Sequence, residues 1–126
     1  RECSKAIQNP RSNLSFYRDG IGFSLPTVDV EICDYTLLEW NNYSCKIYIA
    51  KGNSVGGILF ELDNNIFTGD TLIWDNKTVT KLPTGSKADL KYSIELLKTL
   101  SHKKNMHVYA GHGIDFDLNN YKWNEL

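Results

Sequence analysis

Only one stretch of this chain has the spacing of a long helix, and that scarcity constrains the fold more than any other feature. Leu90, Ile94 and Leu97 recur at helical intervals, with Leu96 and Leu100 widening the apolar stripe. Ser86 stands where it can cap the first turn, and Asp89 can answer it in a capping box. The spacing therefore predicts a helix over residues 87–102. Upstream, most of the chain reads as strand or turn. Val28–Ile32 and Cys45–Ile49 alternate apolar with polar residues, as half-buried strands do, and Thr36–Trp40 is a further strand candidate. Gly56–Leu62 and Asn65–Thr68 are β-rich runs joined by Asp63-Asn64, residues that tolerate the left-handed conformations of a tight hairpin. Met106–Ala110 is a last short strand, ending at Gly111-His112-Gly113. Nearer the start, Ser4–Gln8 suits a short helix stopped by Asn9-Pro10, and residues 11–26 read as loop. This order predicts an α+β fold with a mostly antiparallel sheet. One helix covers one face of such a sheet and leaves the other face in need of cover.

The length of 126 residues suits one compact domain and not two. An apolar fraction of 41% separates the chain from disordered sequences. Lysines and arginines number 14 against 15 acidic residues, interspersed, so the basic footprint of a nucleic-acid binder is missing. No apolar run is long enough to span a bilayer, so no membrane association is expected. Cys3, Cys33 and Cys45 are an odd number at no ligand spacing and read as ordinary thiols of a reducing compartment, which makes a cytoplasmic location the expectation.

Two segments carry metal-competent side chains just after a glycine at a strand end. They are Phe67-Thr68-Gly69-Asp70-Thr71-Leu72 and Tyr109-Ala110-Gly111-His112-Gly113. Glycine lets the backbone turn sharply and lets another loop approach, and a carboxylate and an imidazole placed there can share a divalent metal such as zinc. No Ser-His-Asp arrangement, nucleophile elbow or phosphate-cradling glycine loop is present, and no catalytic residue is assigned. Cys45 reads as core. His107 reads as a packed or surface residue, and Asp115 and Asp117 as a solvated turn.

Those segments resemble the metallo-β-lactamase-fold hydrolases, especially their glyoxalase II-like branch. Residues 67–72 are similar to its "FTGDTLF", and Lys81-Leu82-Pro83-Thr84-Gly85-Ser86 to the "DLPGGS" that follows. Residues 109–113 resemble "YPGHG", and Ala50-Lys51-Gly52-Asn53-Ser54-Val55-Gly56-Gly57 resembles "TPGHTPGS". Asn9-Pro10 and Asn13-Leu14-Ser15 resemble a "DP…NLS" stretch of the same branch. Several segments in the right order are more specific than any one alone, and they cover most of the chain.

The resemblance implies one truncated domain over residues 1–126, the C-terminal half of an αββα sandwich. It places Asp70 on the family's bridging metal ligand and His112 on a terminal histidine ligand. Asn53 falls where the family has another histidine, and an amide oxygen is a poorer zinc ligand than imidazole. The "HxHxDH" motif that supplies most of the ligands occurs nowhere in the sequence. Zinc catalysis needs about three protein ligands and an open position for water. No tightly bound cofactor is therefore expected, with zinc or another divalent metal held only if the missing half is supplied. The expectation is a degenerate or incomplete member without independent hydrolase activity, acting as a binding module. The alternative is a fragment or split half of a zinc-dependent thioester or ester hydrolase. The family fold packs two similar halves face to face, so the expected partner is a second copy or a separate N-terminal half.

Overall fold

The computed structural model describes residues 2–123. By its internal contacts the chain divides into two compact units, Arg1–Cys33 and Asp34–Leu126.

The first unit holds helices α1 (Glu2–Gln8) and α2 (Phe16–Asp19) in an otherwise irregular path. Side chains stitch that path together. Asn13 donates from its amide nitrogen to the carbonyls of Ile7 and Phe23 at 2.9 and 2.8 Å, and Ser15 Oγ accepts from the Phe23 N–H at 2.8 Å. The Asp19 carboxylate closes the turn after α2 by accepting from the N–H groups of Gly22 and Ile21, and these bonds hold its pKa below the ordinary value. Two sequence expectations are corrected here. Residues 11–26 are not all loop, since α2 lies among them, and Val28–Ile32 is not a strand. Alternation is a necessary property of a half-buried strand, but pairing and burial make one. Val28 and Val30 have neither a ladder partner nor cover.

The second unit is a six-stranded sheet in sequential order: β1 (Thr36–Trp40), β2 (Tyr43–Ile49), β3 (Ile58–Leu62), β4 (Asn65–Gly69), β5 (His107–Ala110) and β6 (Phe116–Asp117). All neighbours run antiparallel except β4 and β5, which are parallel. A parallel pair needs a crossover, and helix α3 (Lys87–Lys103) supplies it. The two shortest connections have two residues each and left-handed backbone at Asn41 and Asn42 between β1 and β2 and at Asp63 between β3 and β4. Asn and Asp tolerate that conformation through local hydrogen bonding of their short side chains. Ser86 caps α3 as expected, its hydroxyl accepting the Asp89 N–H at 3.2 Å.

Helix α3 buries Ile94, Leu97 and Leu100 against Leu59, Ile66 and Val108 of the sheet, with Met106, Phe116 and Leu118 completing the core. The pairing Tyr48↔Leu59 puts those two residues on the helix side. Ile47↔Phe60 and Ile49↔Ile58 then lie on the opposite side. That side also carries Leu38, Trp40, Phe67 and Tyr109, each more than 40% exposed. Phe67 packs edge-on to Phe60 and stacks on Tyr109, so three neighbouring strands share an aromatic row. Of the two thiols whose surroundings are described, Cys45 is buried in the sheet and Cys33 is exposed, and both are free. Among the described residues no helix is long and apolar enough to cross a membrane.

Candidate functional site

The parallel β4–β5 pair makes the site. Parallel neighbours end on the same edge of the sheet, so the loops after them start side by side. Asp70 follows β4 and His112 lies just beyond β5, and the Gly111 N–H donates to the Gly69 carbonyl at 2.8 Å across the gap. His112 Nδ1 lies 2.7 Å from Asp70 Oδ1. The carboxylate oxygen accepts and Nδ1–H donates, which leaves Nε2 as the open nitrogen of a mostly exposed ring. Two buried threonines hold the Asp70 turn. Thr68 Oγ1 donates to the Leu72 carbonyl at 2.9 Å, and Thr71 Oγ1 to the Ala50 carbonyl at 3.4 Å.

Gly111 is required by close approach. A Cβ there would lie 2.4 Å from Asp70 Oδ1 and 3.2 Å from the Gly69 carbonyl carbon. Gly111→Ala is therefore expected to push the Asp70 carboxylate aside and break its bond to His112, at modest cost in stability because the main contact is the end of a side chain. The 15N shift of His112 Nδ1 should move to the value seen in Asp70→Ala. An unchanged shift in Gly111→Ala would contradict the arrangement.

Asn53 does not join the pair by any bond. Its amide nitrogen donates to the Val79 carbonyl at 2.9 Å and ties its own loop to residues 78–80. Among the described residues no group of three or more His, Cys, Asp or Glu side chains converges as a metal site requires. Asp70 and His112 are chemically suited to a divalent ion, but they are two donors where catalysis by a bound metal needs about three. The residues present thus fit part of a metal site and not a whole one.

A second ionisable cluster joins β5 to β6 and the loop before it, and was not legible as one. His107 Nε2 is 2.5 Å from Asp115 and Nδ1 is 3.1 Å from Asp117. The His107 pKa is raised by its bond to Asp115 first and then Asp117, and the Asp115 pKa is lowered in return. With both ring nitrogens committed to carboxylates, His107 has no ligand atom to offer. The β5–β6 pairing His107↔Asp117 creates this clamp, and the sequence gap of ten residues gave no hint of it.

Solved structures place this architecture. The crystal structure of BLEG-1 B3 metallo-β-lactamase matches at a TM-score of 0.81 and 21% identity, covering 94% of this chain and 57% of that one. A protein solved in a di-iron-bound form matches at 0.63 and 21% identity, covering 87% and 54%. The fold is therefore the metallo-β-lactamase fold, in the part that makes one half of that domain. No family model matches the sequence. The chain is 33% identical over 76 residues to a probable metallo-hydrolase of Methanocaldococcus jannaschii, covering 60% of this chain and 37% of that protein. It is 29% identical over 90 residues to a hydroxyacylglutathione hydrolase of Pelagibacter ubique, covering 70% and 36%. The chain spans little more than a third of the length of these two curated relatives.

Proposed function

We propose that the chain is a binding module of the metallo-β-lactamase fold that docks the open face of its sheet against a second layer and does not hydrolyse substrates by itself. The observation that carries this reading is the row of Leu38, Trp40, Ile58, Phe67 and Tyr109, all more than 40% exposed on the side opposite α3. Cys45 and Ile47 on the same side are buried, so the exposed residues flank a covered centre. Exposed apolar surface of this kind marks an interface, and a standard interface removes about 800 Å² per partner. The partner is a complementary N-terminal half, in keeping with the greater length of the relatives, and in its absence a second copy of the chain.

A second reading is favoured by the Asp70–His112 pair and by the probable metallo-hydrolase and the hydroxyacylglutathione hydrolase among the relatives. Here the docked layer supplies the missing ligands, and the complex is a metal-dependent hydrolase of thioesters or related esters. One set of measurements on the purified chain separates the two. Light scattering at micromolar concentration should give a dimer, and Trp40→Asp with Phe67→Asp should give a monomer. Zinc titration should show at most weak binding, and S-lactoylglutathione should not turn over above background. A submicromolar zinc site lost in both Asp70→Ala and His112→Ala, or turnover abolished by a chelator, would transfer the assignment to the second reading. A wild-type monomer would sink the docking proposal.

A further inference from the structure

A groove of about 540 Å³ lies between helix α3 and the chain that leads into it, away from Asp70 and His112 in the residues that line it. Its helix wall is basic. Lys87, Lys91 and Lys98 stand at i, i+4 and i+11, which places them on one stripe of α3. Lys77, from the chain that leads into α3, and Trp123 also line it. The floor is apolar, made by Ile94, which is 6% exposed, and Leu90, which packs against the core.

Charge in this groove is largely uncompensated. Glu95 is its acidic member and is taken by Lys98 at 2.9 Å. Among the described residues none pairs with Lys77, Lys87 or Lys91. Three lysines with no ion-pair partner among the described residues thus line one concavity, in a chain whose formal net charge is −1. The N-terminal end of α3, where Lys87 and Lys91 sit, adds the positive end of the helix dipole. The walls are also held in place. Thr78 Oγ1 donates to the Thr71 carbonyl at 3.0 Å, Asn53 holds the Val79 carbonyl, and Lys98 lies 5.9 Å over the Trp123 ring. Small-molecule sites share this design, being largely preformed, mostly apolar and about 300–1,000 Å³ in volume, with a few placed polar groups.

We infer that this groove binds a small organic polyanion, its negative groups on Lys77, Lys87 and Lys91 and an aromatic or apolar body against Trp123, Leu90 and Ile94. Both phosphates and carboxylates carry the chemistry the lysines recognise. Calorimetric titration of the full chain in low-salt buffer with adenosine triphosphate and with benzene-1,2,4-tricarboxylate separates those sources, and adenosine is the uncharged control. At least one of the two anions should bind one per chain, more tightly than adenosine. The Lys87→Glu/Lys91→Glu double variant should weaken that binding on the order of tenfold or more, since each change turns an attraction into a repulsion. Both lysines are exposed, so the variant keeps its fold, which circular dichroism checks. Lys87→Arg/Lys91→Arg should retain binding, and Trp123→Ala should weaken it. Binding of triphosphate alone assigns the phosphate class, and of tricarboxylate alone the carboxylate class. Failure of both anions to bind, equal binding of adenosine, or binding indifferent to the double charge reversal overturns the inference.

Discussion

Replacing Gly52 by alanine is expected to lower the unfolding free energy by about 3–5 kcal/mol. Two costs combine. Gly52 has φ 138°, a backbone conformation that L residues rarely adopt, and strain of that kind costs about 1–3 kcal/mol. A Cβ would also lie 2.4 Å from the Leu90 Cα and 2.6 Å from its backbone nitrogen. These are backbone atoms of the first turn of α3 and cannot swing aside, and overpacking typically costs a further 1–3 kcal/mol or about that. The same glycine accepts the Ser86 N–H at 2.8 Å through its carbonyl, so the displacement would pull on the helix cap as well. Urea unfolding followed by circular dichroism measures the loss. A midpoint within about 0.5 kcal/mol of wild type, the range of ordinary surface changes, would mean that α3 does not seat on the Gly52 loop as described.

Truncating Glu61 is expected to cost about 3 kcal/mol near neutral pH, because it leaves a buried network without its centre. Glu61 is 3% exposed and accepts from Tyr48 Oη at 2.7 Å, Lys104 Nζ at 2.9 Å and Lys46 Nζ at 3.0 Å. Hydrogen bonds to a charged group are worth about 1.5–3 kcal/mol each. The two lysines are 42% and 37% exposed, so water takes back part of that and the sum is far from additive. Glu61→Gln keeps the shape and the acceptor for Tyr48 and should cost about half as much as Glu61→Ala. Burial alone would raise the Glu61 pKa, but its bonds to Tyr48, Lys104 and Lys46 outweigh that and leave it below the ordinary 4.5. A carboxyl with a depressed folded-state pKa contributes stability that is present above its unfolded value and lost as pH falls through the folded value. The gap between wild type and Glu61→Gln should therefore be full near neutrality and shrink as pH drops below 4.5. A gap that grows on acidification would reverse the assignment. The same network raises the Tyr48 pKa, through burial first and the Glu61 carboxylate second.

Much of the fold was legible because its signals are local. The α3 stripe and its Ser86 cap, the Asp63-Asn64 turn and the runs that became β1 to β5 each depend on neighbours within a few residues, and the structure differs from expectation there by one or two positions at the ends. Val28–Ile32 shows the limit of that reasoning. Its alternation is as regular as that of β2, yet no strand forms, because a strand needs a partner and the sequence does not say where one is. Strand β6 is two residues long and falls below any periodic signal.

The candidate site divides along the same line. Gly69-Asp70 and Gly111-His112 were legible as glycine-led strand ends with metal-competent side chains, since residue type and position carry that chemistry. Their meeting at 2.7 Å across 42 residues was decided by the parallel pairing of β4 and β5. Asn53 stood in a ligand position by resemblance, and only the tertiary structure turned its amide to Val79. The His107 clamp, the Glu61 network and the basic groove are also products of packing. Each joins groups at least eight residues apart, or charges from different elements. Local propensity fixes the backbone of short segments, whereas the distance between two charges is set by which strands pair and which way the crossover runs.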